Sequence, residues 1–158
     1  MSTARASFLS APRCISAIIT TEDLNAAAVS QVITLSEAIP AGAVVIGCYL
    51  NLIQVFAGGG AGSCTADFGD LADADGWYDG EPVFTGTALG FKTIPDTTGV
   101  YLDGGLSPVQ RPPAIDCQAI VRPIKVTITS NVNVKLLTAG ALGVNVFYVE
   151  QAAGDLPA

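Results

Sequence analysis

The chain has 158 residues, of which 13% are charged, and a formal net charge of −7 with only seven Lys and Arg residues. This length fits one domain that folds without disulfides or metal ions, and so few, scattered basic residues argue against direct binding of nucleic acid. Because the chain contains no histidine, Ser-His-Asp and Cys-His catalytic arrangements and histidine-dependent metal sites are excluded.

Residues 1–28 are expected to form an N-terminal arm or an edge strand. Pro12, Arg13 and Cys14 interrupt the apolar core that a signal peptide needs. No run of 18 apolar residues occurs in the sequence, so we expect no membrane span. The chain has four cysteines without a C-x-x-C pair, which we expect to be buried free thiols: Cys14, Cys48, Cys64 and Cys117.

A β-sandwich domain is expected over residues 29–150, and it begins with two β-rich runs. The run at residues 29–36 is followed by Ile39-Pro-Ala-Gly42, which predicts a turn because Pro fixes φ and Gly permits a positive φ. Residues 43–56 are apolar at both odd and even positions. This pattern predicts a strand that is buried on both faces or exposed to a partner on one. Gly47 within it predicts a bulge or a bend.

Glycine, proline and acidic residues dominate the middle of the chain. Residues 57–62 predict a flexible glycine-rich loop, and residues 64–68 predict a short strand. Residues 69–81 hold most of the clustered charge and the only Trp, and we expect a loop there with one helical turn. Residues 82–116 predict long connections between short strands near 84–91 and 99–102.

The C-terminal part alternates in hydrophobicity over residues 125–130, 131–136 and 143–150, which predicts strands. Residues 137–142 are expected to form a loop, and residues 151–158 a short polar tail. About eight short strands with turns between them predict an all-β fold. The expected architecture is an antiparallel β-sandwich that is jelly-roll-like, with long Gly/Pro-rich loops.

The low content of charged residues predicts how this domain meets its surroundings. Average proteins carry about 25% charged residues, about twice the fraction in this chain. We therefore expect part of the apolar surface to lie against another subunit. The alternative is a two-layer sandwich that is merely poor in Lys and Glu.

Residues 69–81 contain the one serious candidate for a ligand site. The stretch 73–76 resembles part of a calcium loop, but with Gly76 in the sixth position the first and twelfth are Leu71 and Pro82, which excludes an EF-hand. Two interpretations stay open: a looser calcium site, or a turn whose carboxylates accept hydrogen bonds from nearby backbone N–H groups. The calcium site would use oxygens from Asp70, Asp73, Asp75 or Asp79.

Aromatic residues beside these acids allow a second hypothesis. Trp77 and Tyr78 could stack on a sugar, or they could plug one end of the sandwich core. A glycosidase needs two opposed carboxyl groups on a rigid frame, which one loop does not provide. Gly58-Gly-Gly60 lacks the Lys of a phosphate-binding loop. We therefore assign no catalytic, cofactor-binding or metal-binding residue and no cofactor.

The order of segments resembles a group of tailed-bacteriophage virion proteins over residues 29–149. The resemblance is carried by I-P-A-G-A-V-V from Ile39 and by G-D-L-A-D-A-D-G from Gly69, as a pair. It implies a non-enzymatic head decoration (cement) protein, usually trimeric, where subunits of the major capsid protein lattice meet. The implied location is the capsid exterior, with assembly in the host bacterial cytoplasm. The alternative that it implies is a head-fibre or tail component with a carbohydrate-binding tip.

Overall fold

The computed structural model describes residues 11–92 and 120–150. These residues form eight β-strands and two short 3₁₀ helices, Thr21–Asp23 and Val134–Leu136. The strands are β1 Arg13–Thr20, β2 Ser30–Ile39, β3 Val44–Ala57, β4 Cys64–Asp70, β5 Tyr78–Pro82, β6 Gly90–Phe91, β7 Arg122–Ser130 and β8 Ala139–Val149.

The strands form two four-stranded sheets with the orders β1-β8-β3-β6 and β2-β7-β4-β5, called here the first and the second sheet. The antiparallel neighbours β1–β8, β2–β7, β3–β6 and β4–β5 are the pairs formed when one long hairpin is wrapped around a barrel. This connectivity defines a jelly roll. The predicted all-β, antiparallel sandwich of jelly-roll type is therefore confirmed.

The two faces of strand β3 account for its apolar residues at both odd and even positions. One side of the strand faces the core through Val45, Leu50 and Leu52, which are at most 1% exposed, whereas Ile46 and Ile53 on the other side are 51% and 45% exposed. The strand is thus buried on one face and open on the other, which was the second of the two predicted arrangements.

A β-bulge lies in β3 at the predicted place. The pairing of β3 with β8 shifts between Val45 and Gly47, so that Ile46 is the additional residue. The shift changes the parity of the inward-facing positions, because residues before and after the bulge must both point to the core. The bulge predicted at Gly47 is confirmed.

The turn before β3 is also confirmed. The backbone N–H of Ala43 donates to the carbonyl of Pro40 over 3.1 Å, and Gly42 has a φ of +75°. The turn reverses the chain between β2 in the second sheet and β3 in the first. Local sequence thus determines one of the crossings between the two layers.

Two predictions for the C-terminal part are corrected by the structure. Residues 131–136 do not form a strand, because the Asn131 carboxamide accepts the backbone N–H groups of Gly62 and Ser63, and Val134–Leu136 form a 3₁₀ helix. Residues 137–142 are not a loop, since β8 begins at Ala139. Glycine is required at position 140 of this strand, because φ is +151° and a side chain there would collide with the ring of Phe56.

The middle of the chain also departs from its prediction. Residues 69–81 contain no helical turn: β4 continues to Asp70 and β5 begins at Tyr78, so that the acidic segment is a hairpin. The strand predicted near 84–91 is reduced to β6 and a bridge between Phe56 and Phe84. The strand predicted near 99–102 lies outside the described residues.

The N-terminal segment contributes a strand to the first sheet. β1 pairs with β8 at the edge of that sheet, and Ile15 and Ile19 are 4% and 3% exposed in the core. A capping box between Thr20 and Asp23 then starts the first 3₁₀ helix, with the backbone N–H of Thr20 donating to the Asp23 carboxylate.

Candidate interaction surface

The acidic hairpin between β4 and β5 is organised by the buried carboxylate of Asp70. Its Oδ1 accepts the backbone N–H groups of Ala72 and Asp73 at 2.8 and 3.1 Å. Its Oδ2 lies 3.1 Å from Nη1 of Arg122, and both side chains are at most 1% exposed. Asp70 therefore closes the turn and neutralises a buried arginine, which leaves it no role as an open ligand.

Arg122 enters this site from the first position of β7. A second contact joins its Nη2 to the carbonyl oxygen of Ala43 at 3.5 Å, beside the turn that leads into β3. The guanidinium thus connects the end of β4 with the start of β3. A charge buried in this way persists only when it is paired, so the arrangement stabilises the fold rather than a ligand.

The remaining acids of the hairpin do not assemble a metal site. Asp67 accepts the backbone N–H of Gly80 over 2.8 Å. The pKa of Asp73 is raised to about 6, first by the hydrogen bond that its protonated carboxyl donates to Asp75 and second by partial burial. Within the part of the chain that is described, no group of three or more His, Cys, Asp or Glu side chains is placed to hold a metal ion. The bonds made by Asp67 and Asp70 match the turn interpretation of this segment.

The aromatic pair lies inside the sandwich. Trp77 and Tyr78 are both 0% exposed, and the Trp77 ring meets the ring of Phe68 edge-on at a centroid distance of 5.0 Å. Burial raises the pKa of the Tyr78 hydroxyl. A sugar cannot stack on a ring that has no exposed surface, so the hypothesis of a sugar site at Trp77 is wrong. The two residues plug the core, which was the alternative interpretation.

The cysteines behave differently from one another. Cys48 and Cys64 are buried free thiols, as predicted, and burial raises the pKa of both, that of Cys64 to about 11. Cys14 is also free but is exposed, so the prediction was wrong for this residue, because its position on β1 faces outward. Cys117 lies outside the described residues.

The outer face of the first sheet carries a group of large exposed apolar side chains. Five large apolar side chains with exposed fractions between 40% and 73% project from it: Ile18, Ile46, Tyr49, Ile53 and Phe91. Cross-strand pairing aligns Ile18, Gly143, Asn51 and Phe91 in one row across all four strands. The outer surface formed by these five side chains and the residues between them is called the apolar face below.

Neutral polar residues complete the apolar face. The Ser16 hydroxyl donates to the carboxamide oxygen of Asn145 over 2.8 Å, and the rings of Tyr49 and Phe147 meet edge-on at 5.7 Å. Among residues 11–92 and 120–150, no Asp, Glu, Lys or Arg lies at the outward positions in the middle of these four strands. Two charged pairs flank the apolar face: Arg13 with Glu150 at 3.2 Å lies at one end of the sheet, and Lys92, which follows Phe91, pairs with Glu81 at 3.4 Å.

The outer face of the second sheet has a different composition. Thr127 of β7 lies between Val32 of β2 and Asp67 of β4, and in the neighbouring row Lys125 lies beside Thr34. A further row joins Thr129 to Ser30 through their hydroxyl groups at 3.0 Å. This face is thus a mixture of hydroxyl groups and charges with Val32 as its one large exposed apolar side chain in these rows, which is typical of a sheet that faces water.

Comparison with known proteins shows the fold. No protein-family model matches the chain, and no curated protein matches it. A solved structure that is similar to it is a chain of the Cyanophage Pam1 capsid asymmetric unit, with a TM-score of 0.53 and 16% sequence identity. The match covers 95% of this chain and 92% of that chain. None of the helices in the described part of the chain is long and apolar enough to cross a membrane.

Proposed function

We propose that this chain is a non-enzymatic structural protein of a tailed-phage virion that decorates and stabilises the capsid as a trimer. The observation that carries the proposal is the apolar face, an uncharged surface of one sheet on a chain that otherwise has a net charge of −7. Such a surface is suited to lasting contact with other subunits rather than with water.

The similarity to a chain of a cyanophage capsid asymmetric unit supports the same assignment. The fold by itself is used for many functions, so the argument needs the site as well. The carboxylates of Asp67 and Asp70 in the acidic hairpin are occupied by backbone N–H groups and by Arg122, which fits a structural role for the segment.

The proposed partners are the major capsid protein lattice and two further copies of this chain, on the exterior of the particle. The net charge of −7 favours a protein that remains apart from the packaged nucleic acid. A trimer bound at a point where capsid subunits meet would make several weak contacts at once, and the binding strength of such contacts multiplies.

The burial of Trp77 removes the support for the alternative, a head-fibre or tail component with a carbohydrate-binding tip. That hypothesis required an accessible ring at Trp77, whereas the ring is 0% exposed. No other described residue favours a sugar site, so the decorating function is the one proposed.

The test is reconstitution on capsids of the phage that encodes this chain, prepared without it. We expect the purified protein to bind these particles saturably, with a stoichiometry in multiples of three, and to raise the temperature at which they break open. Sedimentation with the particles and electron microscopy measure the binding. Purified protein that stays in the supernatant at every concentration, or that turns over a substrate, would contradict the proposal.

A further inference from the structure

We propose that the apolar face is the surface through which three copies of this chain meet around a threefold axis. This inference rests on the trimer in the proposed function and adds which side of the molecule forms it. In a threefold oligomer, a face that lies on the axis contacts the same face of both other copies.

The area of the apolar face agrees with such a contact. Its five large side chains expose between 40% and 73% of their surface, which amounts to roughly 500 Å² of apolar surface, near the upper end for a patch on a monomer. A standard interface buries about 800 Å² per partner, and contacts between identical subunits are about 65% apolar. Each copy in a trimer makes two such contacts, so the apolar face supplies about half of the apolar area that they require, and the surface around it supplies the rest.

The absence of charge on the middle of the apolar face fits a contact between identical copies of this chain. Copies that each carry a net charge of −7 repel one another, and charged groups are costly at the centre of an interface. A contact through the middle of the apolar face would bury no charge. A contact through the outer face of the second sheet would bury the charges of Lys125 and Asp67. Contacts between identical subunits are also more apolar than attachments that form between separate proteins.

The centre of the face is filled by an apolar side chain. Gly143 lies between Ile18 and Asn51 in the central row, and the side-chain end of Ile53 lies over it. Because Gly143 has no side chain, Ile53 can lie across the row, which adds apolar surface at the middle of the face. Ile18 and Phe91 at the two ends of the row are the most exposed of the five, at 61% and 73%.

The first test compares matched substitutions on the two outer faces. Ile18→Asp on β1 and Val32→Asp on β2 both place a carboxylate at an exposed β-branched position of a sheet-edge strand, with exposed fractions of 61% and 53%. We expect Ile18→Asp to weaken trimerisation about a hundredfold or more, because it replaces an apolar contact with a charge inside the interface, and Val32→Asp to leave it unchanged. Analytical ultracentrifugation over a concentration series measures both, and circular dichroism verifies folding.

The second test measures the reactivity of a thiol that the wild-type chain already carries beside the face. Cys14 is an exposed free thiol on the same side of β1 as Ser16 and Ile18, whereas Cys48 and Cys64 are buried. We expect N-ethylmaleimide to modify Cys14 at least tenfold more slowly in the trimer than in the Ile18→Asp monomer, with peptide mass spectrometry assigning the rates. A thiol introduced by Thr34→Cys on the second sheet should react equally fast in both states.

The outcomes separate this inference from the proposed function. A wild-type trimer in which Cys14 reacts freely, or in which Val32→Asp disrupts assembly and Ile18→Asp does not, overturns the inference and leaves a decorating trimer intact. A wild-type monomer whose Cys14 becomes protected only on capsids assigns the face to the lattice, which also overturns it. If Ile18→Asp dissociates the trimer but the wild-type trimer does not bind capsids, the inference stands and only the proposed function is contradicted.

Discussion

The two sheets of this sandwich differ in where they carry charged residues. The first sheet has an outer face with large apolar side chains and no charge in its middle, and the second has hydroxyl groups with Lys125 and Asp67 outside and the Asp70–Arg122 pair inside. A chain with 13% charged residues could have spread this deficit evenly. Its concentration on one face fits the proposed contact with other subunits better than a deficit spread over the whole surface would.

The largest effect should come from the buried charge of the second sheet. Asp70→Asn keeps an oxygen for the N–H groups of Ala72 and Asp73 but leaves Arg122 buried without its carboxylate. We expect the free energy of unfolding to fall by about 3–5 kcal/mol. Urea unfolding at fixed protein concentration measures it, since assembly also changes apparent stability.

The matched control for that change is the double variant Asp70→Asn with Arg122→Met. Removal of both charges should recover part of the lost stability, because the cost lies in the unpaired charge rather than in the missing contact. A loss below about 1 kcal/mol for Asp70→Asn alone would mean that the pair is hydrated, contrary to its burial.

A smaller effect should come from the inner side of the first sheet. Gly140→Ala introduces a side chain against the ring of Phe56 at a φ of +151°, and we expect a loss of about 2–4 kcal/mol. Gly143→Ala on the same strand meets neighbours only at ordinary distances of 3.5 Å and more, and its cost to stability should stay below about 1 kcal/mol. Equal losses for the two variants would contradict the packing described for β8.

The smallest effect concerns pH and the surface of the acidic hairpin. The pKa of Asp73 is raised to about 6 by its hydrogen bond with Asp75 and by partial burial, so the folded state holds this proton more tightly than the unfolded chain does. Stability from this group is therefore present below about pH 4 and is lost as the pH rises through about 6.

Asp73→Asn should accordingly be more stable than the wild type at pH 7.5, by less than about 1 kcal/mol because the carboxylate is partly exposed. The difference should shrink as the pH falls toward 4, and Asp75→Asn should give the same trend because it removes the partner. Thermal melting across this pH range measures both. A difference that does not change with pH would rule out a proton shared by Asp73 and Asp75.

Local sequence predicted those features of the fold that neighbouring residues decide. The turn at Pro40–Gly42 and the bulge at Gly47 follow from the φ values that Pro and Gly adopt. The alternation over residues 125–130 predicted β7, which runs from Arg122 to Ser130. The strand predicted at residues 131–136 failed because Asn131 bonds to a loop 68 and 69 residues away, which alternation cannot reveal.

The candidate site was less accessible to prediction. The acidic hairpin and its aromatic residues attracted attention because charge and Trp are rare in this chain, yet the structure uses them to hold the turn and fill the core. The apolar face was not predicted as one surface. Its residues come from four strands, and the order of those strands in the sheet cannot be read from the sequence. The double parity of residues 43–56 was its one local signal.

Composition and periodicity by themselves determined that this protein is an all-β sandwich and that histidine chemistry is absent, and they predicted that some apolar surface stays exposed. Only the tertiary structure decided which side of β3 that surface occupies, that Trp77 is buried, and that Asp70 pairs with Arg122. The physical reason is that local patterns fix backbone conformation, whereas the facing of a side chain depends on pairing between strands distant in sequence.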